Sequence, residues 1–200
     1  MINPRSSSGS LNGSRRGFSM AESLIALAIT TVAGGAILAS IGSALTTSAT
    51  GASALLAQGL ADQLLDEIAA TRFPQTWHAG LNTAASRIAF DDIDDFDGWT
   101  ERPPTNRDGR ELSQEGFVLF NFVIPRPVAM QPDTTLMSRL TREVRVERIQ
   151  PDQQSNWTIV TNGESSFRKV TVRVKDTDAR NNTTTLVESL RIFSYVPPSP

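Results

Sequence analysis

Hydrophobic positions are arranged in three different ways along this chain, and each arrangement predicts a different kind of structure. Between Leu24 and Leu45 the run LIALAITTVAGGAILASIGSAL has 22 residues and no charge. It is apolar all round and long enough for a helix to cross roughly 30 Å of hydrocarbon. Gly34 and Gly35 fall inside it, and a bilayer-spanning helix tolerates them. The next stretch, TTSATGASA at 46–54, is made of poor helix formers and predicts a flexible joint. Beyond it Leu56, Leu60, Leu64 and Ile68 recur every four residues, while Gln58, Asp62, Asp66 and Glu67 occupy the rest of the wheel. This spacing predicts an amphipathic helix, ended by Pro74, whose ring pushes Phe73 out of the helical region. If the segments join, a helix from about Ser19 to Arg72 is on the order of 80 Å long at 1.5 Å per residue.

From Phe73 onwards the pattern changes again. Residues 75–115 are polar and rich in turn formers, and four β-like runs follow at 116–124, 141–149, 167–176 and 184–196. In the third run Val170, Val172 and Val174 alternate with Lys169, Thr171, Arg173 and Lys175, the signature of a half-buried antiparallel strand. DTDARNNT, between the last two runs, predicts a hairpin loop. The expected fold class is α+β: a long N-terminal helix packed on a small antiparallel sheet, in a head of roughly 130 residues.

Charge sharpens this picture. The chain has 200 residues, 19 basic and 21 acidic, so no nucleic-acid partner is expected. It has no cysteine and a single histidine, His78. Disulfides and thiolate metal sites are thereby excluded. Residues 1–16 are rich in Ser, Gly and Asn and lack apolar periodicity, which predicts a disordered leader. Arg5, Arg15 and Arg16 precede the apolar run, and from Phe18 to Ala61 the only ionisable side chain is Glu22. Such a positive flank predicts a cytoplasmic N-terminus and a head on the far side of the membrane.

Two readings compete for SRRGFSMAE, residues 14–22. In the first, a twin-arginine export signal ends at the small residues ASA, 52–54, and releases a soluble periplasmic binding protein. This reading leaves Glu22 inside an apolar region, where a carboxylate is costly. In the second, RRGFSMAESLIALAI resembles the N-terminus of the type IV prepilins and pseudopilins, in which a basic leader ends in glycine, followed by phenylalanine and by glutamate at the fifth mature position. The matching residues are Gly17, Phe18 and Glu22. The resemblance implies cleavage between Gly17 and Phe18 by the prepilin peptidase, N-methylation of Phe18, and retention of the helix as anchor and assembly element.

On this reading residues 1–17 are the leader, 18–45 the transmembrane and assembly helix, 46–72 its amphipathic continuation and 73–200 the globular head. The expected location is the inner membrane, single-pass, and then a pilus or pseudopilus, with other pilins or pseudopilins as partners. Glu22 is the expected assembly residue, because a carboxylate in hydrocarbon needs a positive partner and the processed amine of Phe18 supplies one. The absence of a mid-helix proline and of a C-terminal cysteine pair departs from the major pilins. The likeness is instead to minor pilins of the pilus-modification group and minor pseudopilins of type II secretion.

One further cluster carries possible chemistry. FDDIDDFDGW places Asp91, Asp92, Asp94, Asp95 and Asp97 within seven residues. Calcium favours several carboxylate oxygens on a loop, which makes Asp92, Asp94, Asp95 and Asp97 candidate ligands. The spacing does not follow the EF-hand pattern. The alternative is a turn that buries Phe90, Ile93, Phe96 and Trp99 and leaves its acids solvated. His78 reads as a lone surface or cap residue without a nucleophile motif, RLTREVRVERI as a solvated strand face, and no catalytic activity is expected.

Overall fold

The computed structural model describes residues 19–81, 87–114, 116–119, 122–125, 127 and 131–195. The chain divides into two compact units, Met1–Ala49 and Thr50–Pro200. Helix α1, Met20–Ala69, begins in the first and ends in the second.

Residues 46–54, whose propensities allow a joint, are regular helix, so the two segments join in the continuous helix expected. A helix already nucleated on both sides adds one hydrogen bond per residue fixed, which outweighs the weak propensity of Thr, Ser and Gly. The hydroxyls in the apolar run do not compete for the backbone. Thr30 Oγ1 donates to the Ala26 carbonyl at 2.7 Å, and Thr46 Oγ1 to that of Gly42 at 3.0 Å. The end of α1 comes at Ala69, before Pro74. There the Ala70 N–H is shared between the Asp66 and Glu67 carbonyls, and the Thr71 hydroxyl donates to that of Ile68 at 2.7 Å.

In the second unit, strands β1 (Thr100–Glu101), β4 (Leu140–Pro151), β6 (Phe167–Thr177) and β7 (Thr183–Ser194) form an antiparallel sheet in the order β1-β4-β6-β7, and β5 (Trp157–Ile159) also pairs with β4. The predicted run at 116–124 is not one strand. It is a separate two-stranded ladder, β2 (Gly116–Leu119) against β3 (Phe122–Pro125), with Leu119 opposite Phe122. A short helix α2, Thr134–Arg139, leads into β4, with the Asp133 carboxylate accepting from the Thr135 N–H at 2.8 Å. The order of a long N-terminal apolar helix followed by antiparallel sheet is a pilin-like architecture.

The core lies between the C-terminal part of α1 and one face of the sheet. Ala57, Leu60, Ala61, Leu64, Leu65 and Ile68 meet Leu140, Val144, Val146 and the three valines of β6, all buried. Phe90, Ile93, Phe96 and Trp99 complete it, with Phe90 edge-on to Phe96 at 4.9 Å between ring centres. Burial of each valine, leucine, isoleucine or phenylalanine among them contributes about 1.5–3 kcal/mol. On the opposite face, cross-strand pairs hold the strands: Lys169 with Glu147 at 2.5 Å, Lys175 with Glu143 at 2.6 Å, Arg173 with Glu188 at 2.7 Å.

The reading of RLTREVRVERI as a solvated strand face holds for Glu143, Arg145 and Glu147 and is corrected at Arg142. Arg142 shares the inward parity of Leu140 and Val144 and is fully buried. So are Arg87 and Arg168. Arg87 forms a two-pronged bond to Glu67 on α1, Nε–Oε1 2.8 Å and Nη2–Oε2 2.9 Å, and reaches Glu101 at 3.0 Å. Arg142 binds the other Glu101 oxygen and donates to the Leu60 carbonyl of α1 at 3.3 Å. Burial lowers the Arg142 pKa, and Glu101 opposes that shift. Two guanidinium groups and two carboxylates thus form a neutral layer beneath α1, and no buried side-chain polar atom in the described residues lacks a hydrogen-bond partner.

Candidate functional site

Two places carry the residues singled out by the sequence: the start of α1 and the acidic turn. Gly17 and Phe18, the expected processing pair, lie outside the described residues. Glu22 lies within them, in the first turn of α1. Its Oε2 accepts from the Ser19 N–H at 2.8 Å, and the Ser19 hydroxyl accepts from the Glu22 N–H at 3.2 Å. This reciprocal arrangement is a capping box, which satisfies two N–H groups the helix cannot bond internally. Glu22 therefore has a function inside its own helix in addition to the one expected between subunits. The S-x-x-E spacing of Ser19 and Glu22 was the available signal.

From Leu24 to Leu45 the helix carries no charged side chain. Leu24, Ile25, Leu27, Ile29, Val32, Ile37, Leu38, Ile41 and Leu45 are all more than half exposed. They point in every direction around the axis, the distribution of a helix whose environment is apolar on all sides. α1 is, among the described residues, the one helix long and apolar enough to cross a membrane.

The acidic turn is organised differently from the expectation of solvated acids. Asp94 and Asp95 are buried within a 3-10 turn, Asp94–Phe96. Asp94 forms a two-pronged pair with the buried Arg168, Nε–Oδ1 2.7 Å and Nη2–Oδ2 3.1 Å. Burial pushes the Asp94 carboxyl above its ordinary pKa, and Arg168 offsets that only in part. Asp97 accepts from the Val146 N–H of β4 at 2.9 Å, and Asp91 pairs with Arg72. The expected burial of Phe90, Ile93, Phe96 and Trp99 is observed.

The remaining two aspartates converge on His78. Its Nε2 lies 3.1 Å from Asp95 Oδ1 and 3.5 Å from Asp92 Oδ1. Both carboxylates are fixed by the turn's own backbone. Asp95 Oδ2 accepts from the Asp91 and Asp92 N–H groups at 2.8 and 3.2 Å, and Asp92 Oδ1 from those of Asp94 and Asp95 at 2.9 and 3.3 Å. Burial and the neighbouring Asp95 charge raise the Asp92 pKa. The His78 loop is tied to the turn by the Leu81 N–H, which donates to the Asp95 carbonyl at 2.8 Å. At Gly80 a Cβ would sit 2.1 Å from the Asp97 carbonyl oxygen, so only glycine permits this approach. Of the four aspartates suggested as calcium ligands, the structure thus brings Asp92 and Asp95 together with His78. It commits Asp94 to Arg168 and Asp97 to the β4 backbone. The buried arginines escaped the sequence reading because alternation assigns a face but not an environment.

No protein-family model, no curated protein and no solved structure matches this chain.

Proposed function

We propose that the chain is a minor pilin or pseudopilin. It is inserted in the inner membrane with its N-terminus cytoplasmic and its head periplasmic, and cleaved between Gly17 and Phe18 by the prepilin peptidase. It is then built through its N-terminal helix into a type IV pilus or a type II secretion pseudopilus, among other pilins or pseudopilins. Its role is structural, not catalytic. The observation that carries this reading is α1 itself: the RRGFSMAE motif runs into a helix that is apolar and exposed around its whole circumference and then, unbroken, supplies one side of a β-sheet core. Retaining the apolar half has a purpose only if lipid, and later other helices, cover it. An export signal needs neither that length nor that continuity.

N-terminal sequencing or intact mass of the purified protein tests the proposal. A mature chain beginning at Phe18, and loss of processing in Gly17→Val, are expected. A start near Leu55 would instead establish the twin-arginine alternative, since burial of α1 begins only at Ala57 and that cut would leave the head's core whole. An intact Met1 would mean an unprocessed anchor.

A further inference from the structure

We propose that His78, Asp92 and Asp95 form a binding site for one divalent transition-metal ion of the zinc class. The inference is independent of the assembly reading, because all three residues belong to the head. Their donor atoms lie within 4.8 Å of one another. The two imidazole-to-carboxylate distances, 3.1 and 3.5 Å, bracket the edge of a tetrahedron around zinc, about 3.3–3.5 Å for bonds of 2.0–2.2 Å. One nitrogen and two carboxylate oxygens are a donor set that zinc accepts, with the fourth position left to water. Calcium fits less well, because it takes 6–8 oxygens at 2.3–2.6 Å and Asp94 and Asp97 are engaged elsewhere.

The charge balance points the same way. The Asp95 side chain is only 4% exposed, and while its Oδ2 takes two backbone N–H groups, its Oδ1 faces the imidazole. Among the described residues Asp91 is matched by Arg72 and Asp94 by Arg168, but no lysine or arginine pairs with Asp92 or Asp95. Buried charges are tolerated when paired or when they coordinate a metal. The His78 Nε2 offers at most one N–H to two carboxylates, whereas a dication satisfies both at once. The backbone N–H groups that hold the carboxylates are the outer shell such a site requires, and the side chain of His78, 40% exposed, gives an ion an entry path.

The test uses the full chain in detergent, purified without a histidine tag, stripped with chelator and titrated with cobalt(II). One bound equivalent is expected, with the intense visible absorption of four- or five-coordinate cobalt, displaced by zinc. The chain contains one histidine and no cysteine, so imidazole ligation has a single source. His78→Ala should weaken binding by more than the roughly 10–100-fold that loss of an outer-shell partner costs. Asp92→Asn, which keeps the oxygen that accepts from Asp94 and Asp95, should weaken it while leaving the fold intact by circular dichroism. Absence of stoichiometric cobalt binding would overturn the proposal. So would equal affinity in wild type and both variants, or a calcium affinity that matches zinc and survives His78→Ala.

Discussion

The two halves of α1 are built from similar residues and meet opposite circumstances. From Leu24 to Leu45 no side chain is buried among the described residues, and the carboxylate just before that run, Glu22, is held by its own helix end. From Ala57 to Ile68 the apolar stripe is buried against the sheet, Glu67 is matched by Arg87, and Arg142 donates even to the Leu60 carbonyl. The C-terminal half is satisfied within the subunit. The N-terminal half is not, and its apolar surface far exceeds the few hundred Å² a soluble monomer usually exposes. In one helix, therefore, burial separates the part that stabilises the head from an apolar part that the described residues leave uncovered.

The sharpest way to break this contrast is to unbalance the buried charges. Arg87→Ala leaves Glu67 and Glu101 facing each other's field without their shared cation. It should cost about 3–5 kcal/mol of head stability, measured by denaturant unfolding of the full chain in detergent. Nearly as large is the effect of truncating the stripe. Leu64, fully buried, becomes a cavity in Leu64→Ala at about 2–5 kcal/mol. Leu38→Ala, the same chemistry on the other half, should stay within about 0.5 kcal/mol. Equal effects for the two leucines would mean that the N-terminal half is also packed within the subunit.

Glu22 sharpens the comparison from the other side, because two roles now compete for it. Glu22→Val removes both the negative charge and the reciprocal cap to Ser19. Glu22→Gln removes the charge but keeps an acceptor for the Ser19 N–H. If charge pairing drives incorporation, both variants insert in the membrane normally and both fail to enter a sheared fibre. Recovery of incorporation by Gln, with failure of Val, would assign the residue to the helix cap alone.

How far the sequence reaches follows the same division. The apolar run, the i, i+4 stripe and the alternating valines of β6 were readable because periodicity records which face meets hydrocarbon. Continuity through 46–54 was readable only beside the alternative of a joint, since propensity is a weak prior against a helix propagating from both sides. The division of 116–125 into two strands was hidden, in an apolar run whose one turn-favouring residue between its end residues Gly116 and Pro125 is Asn121. Arg142 and Arg168 look like surface residues until Glu101 and Asp94, 41 and 74 positions away, are brought beside them. The same is true of His78. It became a candidate ligand only when the chain folded it back onto Asp92 and Asp95.

The smallest expected effect concerns two loops that only the head possesses. In the β4–β5 connection the Asp152 carboxylate accepts from the Gln154 and Asn156 N–H groups, each at 2.8 Å, and Ser155 adopts φ 63°. In the β6–β7 connection Asp178 accepts from Arg180 and Asn182 at the same 2.8 Å, and Asn181 adopts φ 61°. The two loops repeat one geometry, in which an aspartate closes the turn by bonding its own backbone. These bonds favour the ionised form, so both carboxyls sit below their ordinary pKa. A carboxylate with a depressed folded pKa adds stability above its unfolded value, near 3.9, and that contribution disappears as pH falls through the lower, folded value. Acid should therefore weaken the head modestly through these loops, while the apolar half of α1, with no titrating group beyond Glu22, keeps its helical circular dichroism. Asp152→Asn with Asp178→Asn retains the acceptor oxygens but cannot titrate. The double variant should lose less stability than wild type between about pH 5 and pH 2, read as the difference between their unfolding midpoints. Parallel profiles would mean that the loop carboxylates are as easily protonated in the folded head as in the unfolded chain, and that acid acts on the head elsewhere.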